Sequence, residues 1–233
     1  AILDQPSIAL VGTRQMSAYG RRVTQAFVGP LVENGLVTVS GLASGIDTIV
    51  AEETIKAKGS TIAVLAHGLH YIFPKANEAL AERIIENGGL ILTEEALGVE
   101  ADTFRFPKRN RLVAGLSLGT VVLEAPAQSG ALITARIALE ENREVFVVPG
   151  QIFDPHYEGC NALLSKGTAK LVTKAEDVLI ELGMRPREAN AVTVDFVPAD
   201  AFQKAVYTAL SAMPQPVDEL TERANDLGYA VTY

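Results

Sequence analysis

The segment Arg105-Phe106-Pro107-Lys108-Arg109-Asn110-Arg111 is the stretch of this chain best equipped for chemistry. Four of its seven residues are basic and none is a carboxylate, in a chain whose formal net charge is −8. Guanidinium and ammonium groups set close together bind anions, and guanidinium does so through paired, directional N–H bonds to phosphate or carboxylate oxygens. Phe104 and Phe106 add flat apolar surface beside the charge. The segment runs into Leu112-Val113-Ala114-Gly115-Leu116, as expected where a loop enters a helix. On its residues alone it is either a site for an anion or a solvated turn that carries arginine.

Two glycine-rich turns have matching physics. In Gly12-Thr13-Arg14-Gln15-Met16-Ser17 a glycine follows an apolar run and allows close backbone approach. Arg14 can add a bidentate phosphate contact, and Ser17 can cap the helix that begins there. In Ser40-Gly41-Leu42-Ala43-Ser44-Gly45-Ile46-Asp47 the pattern returns with two glycines, two hydroxyls and a helix start. Asp47 either orients neighbouring donors or caps that helix. A third turn, Gln128-Ser129-Gly130, offers Ser129 as a helix cap or as a hydroxyl for a ligand. None of these is the dinucleotide fingerprint G-x-G-x-x-G or a Walker loop.

Catalytic arrangements are scarce. His67, His70 and His156 have no acid–base or metal-ligand spacing, and Cys160 has no base beside it in sequence. No carboxylates fall at metal-loop spacing. The pair Glu94-Glu95 reads as a solvated strand end. Neither a metal nor a cofactor is expected.

The elements that must position these turns are legible as short apolar runs: 7–11, 36–40, 61–65, 90–92, 120–123 and 145–148. Runs so short and apolar throughout are strands buried on both faces. Between them, Tyr19, Val23, Ala26 and Phe27 recur at helical spacing, as do apolar residues in 46–57, 77–86 and 131–140. Gly29-Pro30 is expected to kink or end the first helix. The alternation predicts an α/β fold, a Rossmann-like, mostly parallel sheet with helices on both faces. In such sheets ligands bind beyond the carboxyl ends of the strands, where the glycine turns fall.

With 233 residues, 48% hydrophobic and 21% charged, the chain has the composition of a globular protein with a sizeable core. Its acidity argues against wholesale coating of nucleic acid and leaves room for a local cationic site. A single cysteine fits a reducing compartment, and no apolar run of about 18 residues indicates a membrane span, so a cytoplasmic location is expected. The domain reading is 1–185 for the α/β domain and 186–200 for a polar, proline-interrupted linker. The remainder, 201–233, is read as a partial, helical, winged-helix-like segment.

Five blocks taken together resemble the DNA-processing protein A family (DprA/Smf). They are Gly12-Thr13-Arg14 with Tyr19-Gly20; Ser40-Gly41-Leu42-Ala43-x-Gly45-Ile46-Asp47; Phe106-Pro107-x-Arg109-Asn110-Arg111-x-x-Ala114-Gly115-Leu116-Ser117; Ser129-Gly130-x-Leu132-Ile133-Thr134-Ala135; and Val148-Pro149-Gly150. The resemblance spans roughly residues 7–183. It implies a Rossmann-like domain that binds single-stranded DNA without sequence preference, protects incoming DNA in natural transformation and loads the RecA recombinase. It also implies a homodimer, no membrane association and no enzymatic activity. By position, Gly12, Thr13, Arg14, Ser40, Gly41, Gly45, Phe106, Lys108, Arg109, Asn110, Arg111, Ser129 and Gly130 are the implied DNA-binding residues. Phe106 is expected either to stack a base or to pack against the sheet edge.

Some positions depart from the family pattern. Ser44 and Gln128 stand where a basic residue is common, Ala51 where His is usual and His70 where Asp is common, while Glu52 and Glu53 add acid. Family members commonly carry a segment before the first strand and a complete winged helix, so the chain is expected to be incomplete. The alternative reading is a nucleotide-processing enzyme of the lysine-decarboxylase-like phosphoribohydrolase type. That family carries Pro-Gly-Gly-x-Gly-Thr where this chain has Pro149-Gly150-Gln151.

Overall fold

The computed structural model describes residues 1–186 together with Gln203 and Lys204. The chain divides into two compact units, Ala1–Arg187 and Glu188–Tyr233. Apart from Pro186, Gln203 and Lys204, the expected linker and winged-helix-like segment lie outside the described residues.

In the first unit, seven strands form one parallel sheet: β1 (Ser7–Gly12), β2 (Val37–Ser40), β3 (Thr61–Val64), β4 (Leu90–Leu92), β5 (Gly119–Glu124), β6 (Glu144–Val147) and β7 (Lys170–Leu171). Their order across the sheet is β4-β3-β2-β1-β5-β6-β7. The helices are α1 (Ala18–Glu33), α2 (Ile46–Lys56), α3 (Glu78–Glu86), α4 (Arg105–Gly115), α5 (Gly130–Glu140), α6 (Glu158–Ser165) and α7 (Ala175–Glu181).

The apolar strand runs follow from helices on both faces. Ile8 and Leu10 of β1 face α1 and α7, whose Phe27, Leu31, Val178 and Leu179 are fully or almost fully buried against them. Ala9 and Val11 point the other way, into a layer with Val113 of α4 and Ala131, Ala135 and Ala138 of α5. Successive strand residues alternate faces, so a strand covered on both sides must be apolar at every position.

Of the two expectations for Gly29-Pro30, a kink or an end, the end is corrected. Helix α1 does not end at Pro30 but runs through it to Glu33. The carbonyl that Pro30 leaves without a donor belongs to Ala26, which faces solvent. Phe27, Val28 and Leu31 bury the opposite face and carry the helix on. The basic segment stands at the loop-to-helix entry expected of it, and forms the first two turns of α4 from Arg105. Strand β7 and helices α6 and α7 had not been foreseen.

The topology fixes where a ligand can sit. From β1 the chain proceeds outward through β2, β3 and β4, then returns to the other side of β1 as β5. The crevice between the carboxyl ends of β1 and β5 is the switch point of the sheet. The register slips there between Val11 and Gly12, so that Gly12 pairs with Glu124. Such a bulge re-aims the chain as it leaves the sheet.

Candidate nucleic-acid interface

A cleft of about 420 Å³ opens at this switch point. Its floor is the β1–α1 turn at Gly12, Thr13, Arg14 and Gln15, with Gly41, Ala43 and Asp47 from the β2–α2 loop beside it. One wall is the first turns of α4, through Phe106, Pro107, Arg109 and Asn110. The opposite wall is Pro126, Gln128, Ser129 and Gly130 at the start of α5. Four segments far apart in sequence thus meet at one place, including parts of all three glycine turns.

The loops are fixed to one another before any ligand arrives. The Thr13 N–H donates to the Glu124 carbonyl at 2.8 Å, and the Ile46 N–H donates to the Thr13 carbonyl at 3.1 Å. Asp47 Oδ2 accepts from the N–H groups of Gly41 (2.9 Å) and Ala43 (3.3 Å). Asn77 donates to the Leu42 carbonyl at 3.0 Å. Gly45 has φ +81°, and a β-carbon there would lie 2.4 Å from the Thr13 carbonyl oxygen. Much of this glycine pattern therefore serves loop-on-loop packing, and the Gly41 and Ala43 amides are occupied by Asp47.

Arg109 is the centre of that packing. It is buried, and its guanidinium donates to the carbonyls of Gly41 (2.8 Å) and Val64. A β-carbon on Gly41 would lie 2.4 Å from the same guanidinium. Burial pushes the Asp47 carboxyl up, opposed by the charge of Arg109 and by the two amides. Burial lowers Arg109, opposed by Asp47. An arginine remains charged after such a shift, so a fixed guanidinium lines the cleft with the Asp47 carboxyl beside it.

Arg14 is different. It is exposed, pairs with no carboxylate among the described residues, and its guanidinium carbon lies 4.6 Å from the centre of the Phe106 ring. Phe106 is partly buried, lines the cleft and has the Phe73 ring 6.2 Å away. Its ring is a cleft surface backed by Arg14, a stronger arrangement for stacking than a lone exposed ring.

The remaining cations of the basic segment are already paired. Arg105 bonds Glu95 at 2.7 Å, Lys108 reaches Glu95 at 3.2 Å and Glu94 at 3.5 Å, and Arg111 pairs with Glu94. Glu94-Glu95 is therefore not a plain solvated strand end. Four basic residues in the first two turns of α4 oppose the helix dipole, and no acid or side-chain cap offsets them locally. The two glutamates beyond β4 supply that compensation, and the hydrogen bond from Lys108 is the main cause that holds the Glu95 carboxyl below its ordinary value.

Of the residues singled out in the sequence, Gly12, Thr13, Arg14, Gly41, Phe106, Arg109, Asn110, Ser129 and Gly130 line the cleft. Ser40, Gly45, Lys108 and Arg111 do not. Ser40 is buried and its hydroxyl finds no partner among the described residues. Lys108 and Arg111 are turned to the glutamates. Ser17 and Ser129 are helix caps, accepting from Gly20 N (3.0 Å) and Ala131 N (3.2 Å). Sequence reasoning missed Phe73, Gln15 and the glutamate pairing, since charges ten or more residues apart without periodicity give no local sign of contact. It also missed Lys75, exposed and without an ion pair among the described residues, just beyond Phe73.

Comparison with known proteins bears on this arrangement. The sequence model of the DNA recombination-mediator protein A family matches residues 1–183. DNA processing protein DprA of Streptococcus pneumoniae is 45% identical over 180 residues, which is 77% of this chain and 63% of that protein. The chain thus spans less than two thirds of that relative's length. The X-ray structure of DNA processing protein A from S. pneumoniae superimposes with a TM-score of 0.72 at 44% identity, covering 77% of this chain and 62% of that one. DNA processing protein A from Helicobacter pylori, whose structure bears on its single-stranded DNA binding mode, gives a TM-score of 0.71 at 32% identity, covering 78% of this chain and 82% of that one. The five blocks and the seven-stranded parallel sheet lie within the matched span, and the chain belongs to the DNA recombination-mediator protein A (DprA/Smf) family.

Proposed function

We propose that the switch-point cleft binds single-stranded DNA without sequence preference and that the protein acts as a recombination mediator. In this role it protects incoming single strands in natural transformation and loads RecA onto them, as a cytoplasmic homodimer and not as an enzyme. One observation carries the reading: Arg14, which forms no ion pair among the described residues, lies against Phe106 on the cleft wall. A cation beside a ring meets the two features that every nucleotide shares, a phosphate and a flat base. Arg109 holds the β2–α2 loop in place at the cleft, and the first amide of α5, at Gly130, has no partner inside its helix. The fold and the family membership support the same assignment.

Lys108 and Arg111 enter the proposal as an outer rim. Their carboxylate partners must be displaced before they meet phosphate, so they contribute after the strand has engaged Arg14. Ser40 and Gly45 act through the shape of the β2–α2 loop. Fluorescence anisotropy tests the assignment with labelled oligonucleotides of equal length and different sequence. Affinities that agree across sequences and fall about tenfold in Arg14→Ala support it. Affinities that differ by base composition alone, or that ignore Arg14→Ala, contradict it. Loading is tested by whether the protein speeds RecA filament growth on single strands, with no acceleration as the contrary result.

A further inference from the structure

The geometry points to a continuation of the single-strand track beyond the cleft, over the first turns of α1, with Tyr19 and Phe153 as base platforms and Arg22 as the phosphate contact. This rests on the proposed single-stranded DNA reading and extends its site.

The first turn of α1 starts four residues beyond Arg14. Tyr19 there is 43% exposed, yet its ring is fixed, meeting the buried Tyr157 edge-on at 5.4 Å between centroids. Arg22, one turn further, holds its guanidinium carbon 5.8 Å from the same ring. Arg21 and Arg22 are exposed and neither pairs with a carboxylate among the described residues. The first turn of α1 contains no acid. Arg14, Arg21 and Arg22 thus form a cationic strip leading away from the cleft. It repeats the cleft's own device, a cation laid against a ring.

Phe153 lies in the turn that leads into Tyr157, which is closed by the bond from the Tyr157 N–H to the Asp154 carbonyl. It is 92% exposed and Ile152 is 81% exposed, in the turn after β6 at the same carboxyl edge of the sheet. That turn is held at its base. The side-chain amide of Asn161 donates to the Gly150 carbonyl at 3.2 Å and accepts from the Gly150 N–H at 3.3 Å. The Asp154 N–H donates to the Gln151 carbonyl, and the Tyr157 N–H to the Asp154 carbonyl. Two large apolar side chains displayed on a tied turn have no packing role within the described residues. Of the nearby acids, Glu124 is buried and accepts from Ser17, Glu53 is paired with Lys56 at 3.2 Å, Asp154 is paired with His156 at 3.0 Å, and Glu158 is exposed. The exposed charge of the strip itself is that of three arginines, which favours a strand of phosphates with bases over an acidic or apolar protein segment.

Anisotropy titrations with oligo-dT of about two and about fifteen nucleotides test this. The shorter strand occupies the cleft alone; the longer one reaches the strip. Tyr19→Leu and Phe153→Ser should each weaken the longer strand roughly five- to tenfold, the loss of one stacked base, and leave the shorter within about twofold. Tyr19→Phe should retain wild-type binding of both. Arg22→Gln changes an exposed side chain and does not threaten folding; it should make the salt slope on the longer strand shallower by about 0.7. Equal losses on both lengths, or none on the longer, overturn the continuation and leave the cleft assignment standing. A Phe153→Ser protein that changes its oligomeric state without DNA and keeps its length dependence assigns the turn to a protein contact and overturns the proposal. If the wild type binds neither strand, both readings fall together.

Discussion

Arg14 and Arg109 are the same residue type in opposite physical situations, and substitution separates them. Arg109 is buried and holds two backbone carbonyls, with Asp47 nearby. Arg109→Ala leaves those oxygens and a buried carboxylate uncompensated, and should cost about 3–5 kcal/mol of stability in urea denaturation. Arg14→Ala removes an exposed side chain whose ring contact is Phe106 and should change stability by no more than about 0.5 kcal/mol. Loss of DNA binding in Arg109→Ala therefore reports folding, and loss in Arg14→Ala reports contact. The glutamates give a second test of sign. Glu94→Gln with Glu95→Gln frees Lys108 and Arg111 and should tighten single-strand binding and steepen its salt dependence in anisotropy titrations. Because Lys108 and Arg105 hold Glu95 below its ordinary value of 4.5, its stabilising contribution is present above that pH. It is lost as the pH falls through the lowered value. Glu95→Gln should accordingly flatten part of the acid limb of a stability–pH curve, and an unchanged limb refutes the pairing.

Among the elements, α1 departs furthest from what the sequence leads one to expect. Proline inside a helix removes one bond and crowds the preceding turn, and α1 tolerates it because its buried face is strong. Pro30→Ala should raise the unfolding free energy by about 1–3 kcal/mol in chemical denaturation; a loss of stability means that the proline shapes the α1 surface. The buried Glu124, at the end of β5, ties β1–α1 to the neighbouring strand by accepting from Ser17 N (2.9 Å) and Ser17 Oγ (2.8 Å). Six strands were legible because each is covered on both faces and is apolar without interruption. Strand β7 was not, since Lys170 and Leu171 form a two-residue exposed edge with no pattern to detect. Helix α4 was only half legible. Its first two turns are charged on account of their position near the cleft, and the apolar period begins only at Leu112.

At the scale of the molecule, an acidic chain presents a small cationic site at the one crevice its topology provides. The glycine turns and the basic segment were legible as candidates, and the fold explains why they meet. The distribution of roles was not. Which arginine is structural depends on the carbonyls of Gly41 and Val64, and which cations are neutralised depends on Glu94 and Glu95, all of them tertiary facts. The surface charge balance makes one general expectation firm: the proposed binding to nucleic acid depends on a few local phosphate contacts, since the described residues present no broad basic face to support it. A salt titration of affinity for single-stranded against double-stranded oligonucleotides of equal length tests this most directly. The expected result is preferential single-strand binding whose logarithm falls linearly with log salt, at a slope of about −0.7 for each of a few phosphates neutralised. Binding that is indifferent to salt, or that is as tight to duplex as to single strand, contradicts the account.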